Sequence, residues 1–247
     1  MGVRIIAEDS DAESMAAEYS SPVRRGLQEV HFLNTSQSKA AHNYAPDKKS
    51  GVIVGNPVVS ADKMSAVGLV SFVQTATTET SEMTAYIVAK TSDDGSANAK
   101  RPAFFGTFSG VAADGGLSYG VTFYLGAVDA IAFGAGYGNS ASDIRNIRAY
   151  IPPTNVKSWA LYELLVDTSG VYLNDVTNNT KVSAAPPAGL PRRPSTNKLR
   201  LGSAYNDLAG SCDVALFQSH SVVLTEIERT AVIADLRARA LERGIIV

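Results

Sequence analysis

The chain has 247 residues, 45% hydrophobic and 19% charged, which is enough to bury one sizeable core in one large all-β domain. A formal net charge of -2 and a pI near 5.9 supply no broad positive field, which argues against nucleic acid or an anionic membrane as partner. The one cysteine, Cys212, rules out an intrachain disulfide, leaves stability to packing, and in a strand reads as a small buried hydrophobe.

In chain order, Met1 to Gly26 is polar and acidic, with Glu8, Asp9, Asp11, Glu13 and Glu18 before Ser20-Ser21-Pro22 and Arg24-Arg25. This composition predicts an arm or short helix outside the main core. The segment lacks the positive start and continuous apolar stretch of a signal peptide. No run approaches the ~18 consecutive apolar residues of a membrane span. The expectation is a chain made and folded in the cytoplasm.

From Leu27 onward short apolar runs alternate with Gly, Asn, Asp, Pro and Ser, the punctuation of strands and turns. About ten strands are predicted: 69–73, 85–90, 103–108, 119–125, 130–133, 147–151, 159–166, 171–173, 198–201 and 212–217. In the clearest, Tyr119, Val121, Phe123 and Leu125 share the face that goes to the core. Asp167-Thr168-Ser169-Gly170 reads as a tight hairpin, and the proline-rich stretch 184–194 as a surface loop. Thr225-Glu226-Ile227-Glu228 fits a capping box, opening a helix over 225–243 that Gly244 stops. Its apolar stripe is read as Ile227, Ala231, Ala234, Ala238 and Leu241, docking on the chain's own sandwich.

Motifs that carry chemistry are scarce. His31, His42 and His220 lack metal-ligand spacing, and Ser219-His220 places neighbouring side chains on opposite strand faces. Gly134-Ala135-Gly136-Tyr137-Gly138-Asn139 has Asn139 where a dinucleotide loop needs its third glycine, so it reads as a turn loop. Asp93-Asp94-Gly95 reads as a turn rather than a calcium loop, and Glu163 as a solvent-facing strand glutamate. The binding signal is Tyr137 in its glycine-rich loop, to stack on a sugar face, with Asn139 and Asp143 to bond its hydroxyls. No catalytic residue, cofactor or metal ligand is assigned.

Residues 159–175, running Trp159-Ala160-Leu161-Tyr162-Glu163-Leu164-Leu165-Val166 through the turn to Val171-Tyr172-Leu173-Asn174-Asp175, resemble the central hairpin of laminin-G/concanavalin-A-like jelly rolls. Lys198 to Ser203, Gly210 to Phe217 and Leu224 to Glu228 are similar to that superfamily's closing pattern. Asn43-Tyr44-Ala45-Pro46 and Val52 to Val59 resemble segments of structural proteins of tailed bacteriophages built on this fold. The resemblance implies an antiparallel jelly-roll β-sandwich over 27–247, with one C-terminal helix and an N-terminal arm over 1–26. It also implies a non-enzymatic virion protein, either a tail or fibre appendage or attachment module. The alternatives are a capsid decoration protein and a stand-alone carbohydrate-binding module. The implied partners are other virion proteins, further copies of this chain, with a trimer the number considered, and a host surface polysaccharide.

Overall fold

The computed structural model describes residues 17–152 and 155–247. The elements are β1 (Leu27–Phe32), α1 (Gln37–Ala41), β2 (Val52–Val54), β3 (Val58–Val59), β4 (Met64–Val67), β5 (Phe72–Thr78), β6 (Met83–Lys90), β7 (Ala103–Gly106), β8 (Gly110–Val111) and β9 (Leu117–Ser118). There follow β10 (Val121–Ala127), β11 (Ala130–Tyr137), β12 (Arg145–Ile151), β13 (Ala160–Val166), β14 (Val171–Asp175), β15 (Thr180–Ala184), β16 (Lys198–Leu201), β17 (Ser211–His220) and α2 (Glu226–Leu241). One sheet has the order β15-β14-β13-β6-β17-β4-β3, with β1 also paired to β17. The other has the order β12-β11-β10-β7-β16-β5-β2. Two antiparallel sheets of non-sequential strands, closed by one C-terminal helix, form a sandwich of the jelly-roll type.

The core lies between the sheets because alternate residues of each strand point inward. Val121, Phe123 and Leu125 of β10 are fully buried there, as their alternation predicts, while Tyr119 lies just before the strand and stacks on Phe108. Phe105 packs on Phe217 across the sandwich with ring centroids 5.1 Å apart, and Phe123 packs on Tyr162 at 4.8 Å. Cys212 is buried beside them.

A second apolar layer covers the outer face of the first sheet. Tyr86, Val88, Leu161 and Ala215 meet Val232, Leu236 and Ala240 of α2 and Val23, Val30 and Phe32. The capping box predicted for α2 is present, with Thr225 Oγ1 accepting from the Glu228 amide and the Glu228 carboxylate accepting from Thr225 N. The docked face differs from the predicted stripe. Ile227 is 84% exposed and Leu241 64%, and Ala234 and Ala238 also face outward. The helix offers two apolar stripes, and the sheet takes the one made of Val232, Leu236 and Ala240.

Residues 1–16 of the predicted arm lie outside the described residues. Its remainder, residues 17–26, packs on the second layer, outside the core between the sheets. Val23 is buried in it. The Tyr19 ring meets Phe32 edge-on at 5.2 Å, its hydroxyl donates to Asp235 at 2.7 Å, and Arg239 Nε donates to that hydroxyl. Arg25 grips Glu228 through two parallel hydrogen bonds of 2.8 and 2.6 Å, so this segment clips α2 to the sheet.

The Arg25 guanidinium and the Thr225 amide hold the Glu228 carboxyl down at about 2, below its ordinary 4.5. A depressed carboxylate contributes stability that is present above its unfolded value and lost as pH falls through its folded value. The advantage of the native chain over Glu228→Gln is therefore expected to be full above pH 4.5 and gone near pH 2. Urea unfolding of both proteins across that range checks it, and a difference that does not change with pH would reject the ion pair's role.

Candidate functional site

The hairpin of β13 and β14 forms where the sequence predicts it. Asp167 Oδ1 accepts from Ser169 N at 2.7 Å and Gly170 N at 3.1 Å, and Gly170 has φ +148. A Cβ on Gly170 would lie 2.2 Å from the Ala184 carbonyl oxygen, so only glycine lets β15 close on this turn.

This hairpin and β15 carry the first sheet beyond the edge of α2, leaving part of its outer face uncovered. The register sets two rows of side chains across the three strands: Glu163, Asn174 and Lys181, then Leu165, Tyr172 and Ser183. Val223, Leu224 and Arg229, from the approach to α2 and its first turns, form a wall beside them. The open groove between them has a volume of about 560 Å³. Tyr172 presents its ring there, 38% exposed.

Glu163 anchors the groove and is 4% exposed, which corrects the solvent-facing reading of this residue. Antiparallel pairing with β6 places Tyr86 opposite it. Glu163 Oε1 accepts from the Tyr86 hydroxyl at 3.3 Å, Oε2 accepts from Asn174 Nδ2 at 3.0 Å, and Arg229 Nη1 stands 3.7 Å from Oε2. Burial, with the Glu163 charge beside it, pushes the Tyr86 hydroxyl well above the ordinary tyrosine range, so this tyrosine is a fixed donor. Both oxygens of Glu163, and Oδ1 of Asp167, are thus engaged by the protein's own donors. The arrangement offers an aromatic face, amide and hydroxyl groups and two cations, which is the chemistry of binding a polar ring compound.

The three residues predicted to bind a ligand do not come together at such a surface. Tyr137 is fully buried, because Gly134 and Gly136, read as a loop, belong to β11. Its hydroxyl donates to the Asp167 carbonyl at 2.7 Å and Arg192 lies over its ring, so no sugar can stack on it. Asn139 and Asp143 share an exposed loop but bond each other. Asp143 accepts from Asn139 N, Asn139 Nδ2 and Ser140 N, and these donors hold its carboxyl below the ordinary range.

Other features fall out as turns or supports. Asp94 Oδ1 accepts from Ser96 N and Asp93 Oδ2 from Ser211 N. The stretch after β15 starts as a loop, but Arg192 and Arg193 are buried, correcting its reading as wholly superficial. His31 lies beside Glu29 within the fold, His42 packs on Tyr44, and His220 contacts the Arg25 carbonyl. Among the described residues no group of three or more His, Cys, Asp or Glu side chains is placed to hold a metal ion, and no helix is long and apolar enough to cross a membrane. A smaller cavity of about 230 Å³ lies by Ser65, Ser71, Ser211 and Asp213, where Lys63 and Ser65 occupy the Asp213 carboxylate.

No protein-family model matches the sequence, and no curated protein matches it. Solved structures do share the fold. The receptor-binding domain of botulinum neurotoxin D superposes with a TM-score of 0.57 and 7% identity, over 87% of this chain and 54% of that one. A further receptor-binding domain gives a TM-score of 0.61 at 6% identity, over 86% and 51%. The binding domain of botulinum neurotoxin DC in complex with SialylT gives 0.57 at 7%, over 86% and 52%. The chain thus spans about half the length of the structures it matches, and at such identity the likeness is one of fold.

Proposed function

We propose that the chain is a non-catalytic recognition module that binds a surface glycan in the groove between β13–β15 and the start of α2. The observation that carries this reading is the exposed Tyr172 ring set among Asn174, Lys181, Ser183 and Arg229 on a rigid sheet face. A sugar ring stacks its apolar face on an aromatic side chain while flanking polar groups take its hydroxyls. Similarity of fold to receptor-binding domains, one of them in complex with SialylT, supports a recognition role over a purely architectural one. Within this reading the chain is the host-contacting part of a larger assembly, and the virion appendage suggested by the phage-like segments is the setting proposed.

Tyr172→Ala is expected to weaken binding to an immobilised oligosaccharide panel about tenfold, on the order of 1.4 kcal/mol. Its circular dichroism should stay native, since the ring covers no core. Undiminished binding by the folded variant would reject this groove.

A further inference from the structure

We infer that the ligand of this groove is an acidic saccharide, held through a carboxylate by Lys181 and Arg229; the inference rests on the glycan-binding reading above. It follows from which hydrogen-bonding groups of the groove are used and which are free. The acidic side chains are used: Glu163 by Tyr86 and Asn174, and Asp167 by the backbone of its own turn. Glu163, bonded at both oxygens and buried, is therefore poorly placed to accept from a ligand, and Asp167 keeps only Oδ2 for one.

The basic side chains are free by the same measure. Lys181 is exposed on the outer face of β15 and forms no hydrogen bond or ion pair among the described residues. The Arg229 guanidinium makes none of the hydrogen bonds it can donate among these residues. Its one charged neighbour is Glu163 at 3.7 Å, and its Nε is buried without a partner. An arginine has five N–H donors in a planar fork that matches a carboxylate, and donors left unmet inside a protein cost free energy. Asn174 Oδ1 likewise lacks a partner and adds one acceptor.

Spare cationic donors, a few spare acceptors and an exposed aromatic face fit a ligand that is negatively charged, hydroxylated and ring-shaped. A uronic or sialic acid residue of a surface polysaccharide has those properties. A neutral sugar would leave the cations unmatched, and a basic one would be repelled by Lys181 and Arg229.

The test compares matched ligands by titration calorimetry: a hexasaccharide of galacturonic acid and sialyllactose, each against its carboxyl-reduced counterpart. The acidic forms should bind at least tenfold more tightly than the reduced ones, and their affinity should fall with added salt. Lys181→Gln should remove most of that difference. Arg229→Lys, which keeps the charge opposite Glu163 but loses the fork, should remove part of it. Equal affinity for reduced and acidic forms, with Tyr172→Ala still weakening binding about tenfold, would overturn the acidic preference and leave the glycan reading standing. Binding that no substitution in the groove affects, or no binding in either series, would take down both.

Discussion

Glu79→Ala is expected to lower the stability of the protein by about 3 to 5 kcal/mol, the range for breaking a buried ion pair from one side. Glu79 follows β5 and its side chain is fully buried, as is that of Arg192, 2.9 Å away. Burial pushes the Glu79 carboxyl upward, and Arg192, the Ser195 amide and Thr107 Oγ1 oppose that push. Arg192 also donates to the Gly136 carbonyl and lies over the Tyr137 ring, so one arginine ties the loop after β15 to β11. Removing the carboxylate strands a guanidinium in the interior, which is where the cost arises. The double variant Glu79→Met, Arg192→Met should recover most of the loss, because neither charge is left alone. Urea unfolding of the single and double variants measures both effects, and a single-variant loss below about 1 kcal/mol, typical of an exposed pair, would contradict the buried geometry.

A chain beginning at Leu27 is expected to be destabilised on the order of 4 kcal/mol, from the lost burial of Tyr19 and Val23. Arg25 leaves with them, and α2 loses the hydrogen bonds to Glu228, Asp235 and Arg239 that hold it on the sheet. The point variant Tyr19→Ala, Val23→Ala in the full chain should show a comparable loss, which separates packing from chain length. A truncated protein with an unchanged unfolding midpoint would restore the picture of a loose arm. The resulting exposure of Tyr86, Val88 and Leu161 should also be visible as binding of a hydrophobic dye.

Features set by neighbouring residues were legible in the sequence. The Asp167 to Gly170 turn, the alternation of Val121, Phe123 and Leu125 in β10 and the capping box at Thr225 each depend on contacts within a few positions and are found where predicted, while Tyr119 falls just before the strand. Features set by competition between distant segments were not. The glycines at 134 and 136 signal a loop by composition, yet in β11 they admit a neighbouring chain: a Cβ on Gly136 would come within 3.2 Å of the Arg193 carbonyl oxygen and Tyr119 N. That misplacement is why Tyr137 reads as a binding residue when it is a core one. In α2 two apolar stripes are available, and only the shape of the sheet beneath decides between them.

The groove was hidden for a related reason. Its residues come from three strands and a helix, separated by up to 66 positions from Glu163 to Arg229. Period-two alternation does place Glu163 and Leu165 on one face and Tyr172 and Asn174 on one face of the next strand. It does not say that α2 stops short of them. A reading that had combined the correctly predicted hairpin with the outward residues of its second strand would have reached Tyr172 and Asn174 without the structure.

The central claim is that recognition takes place on the outer face of β14 and β15 beside α2. Backbone amide shifts recorded by NMR during titration with an acidic oligosaccharide test it most directly. The account predicts that the largest changes fall on residues 172–174, 181–183 and 223–229. Changes confined to residues 137–143, or shifts spread without focus over the sandwich, would contradict it.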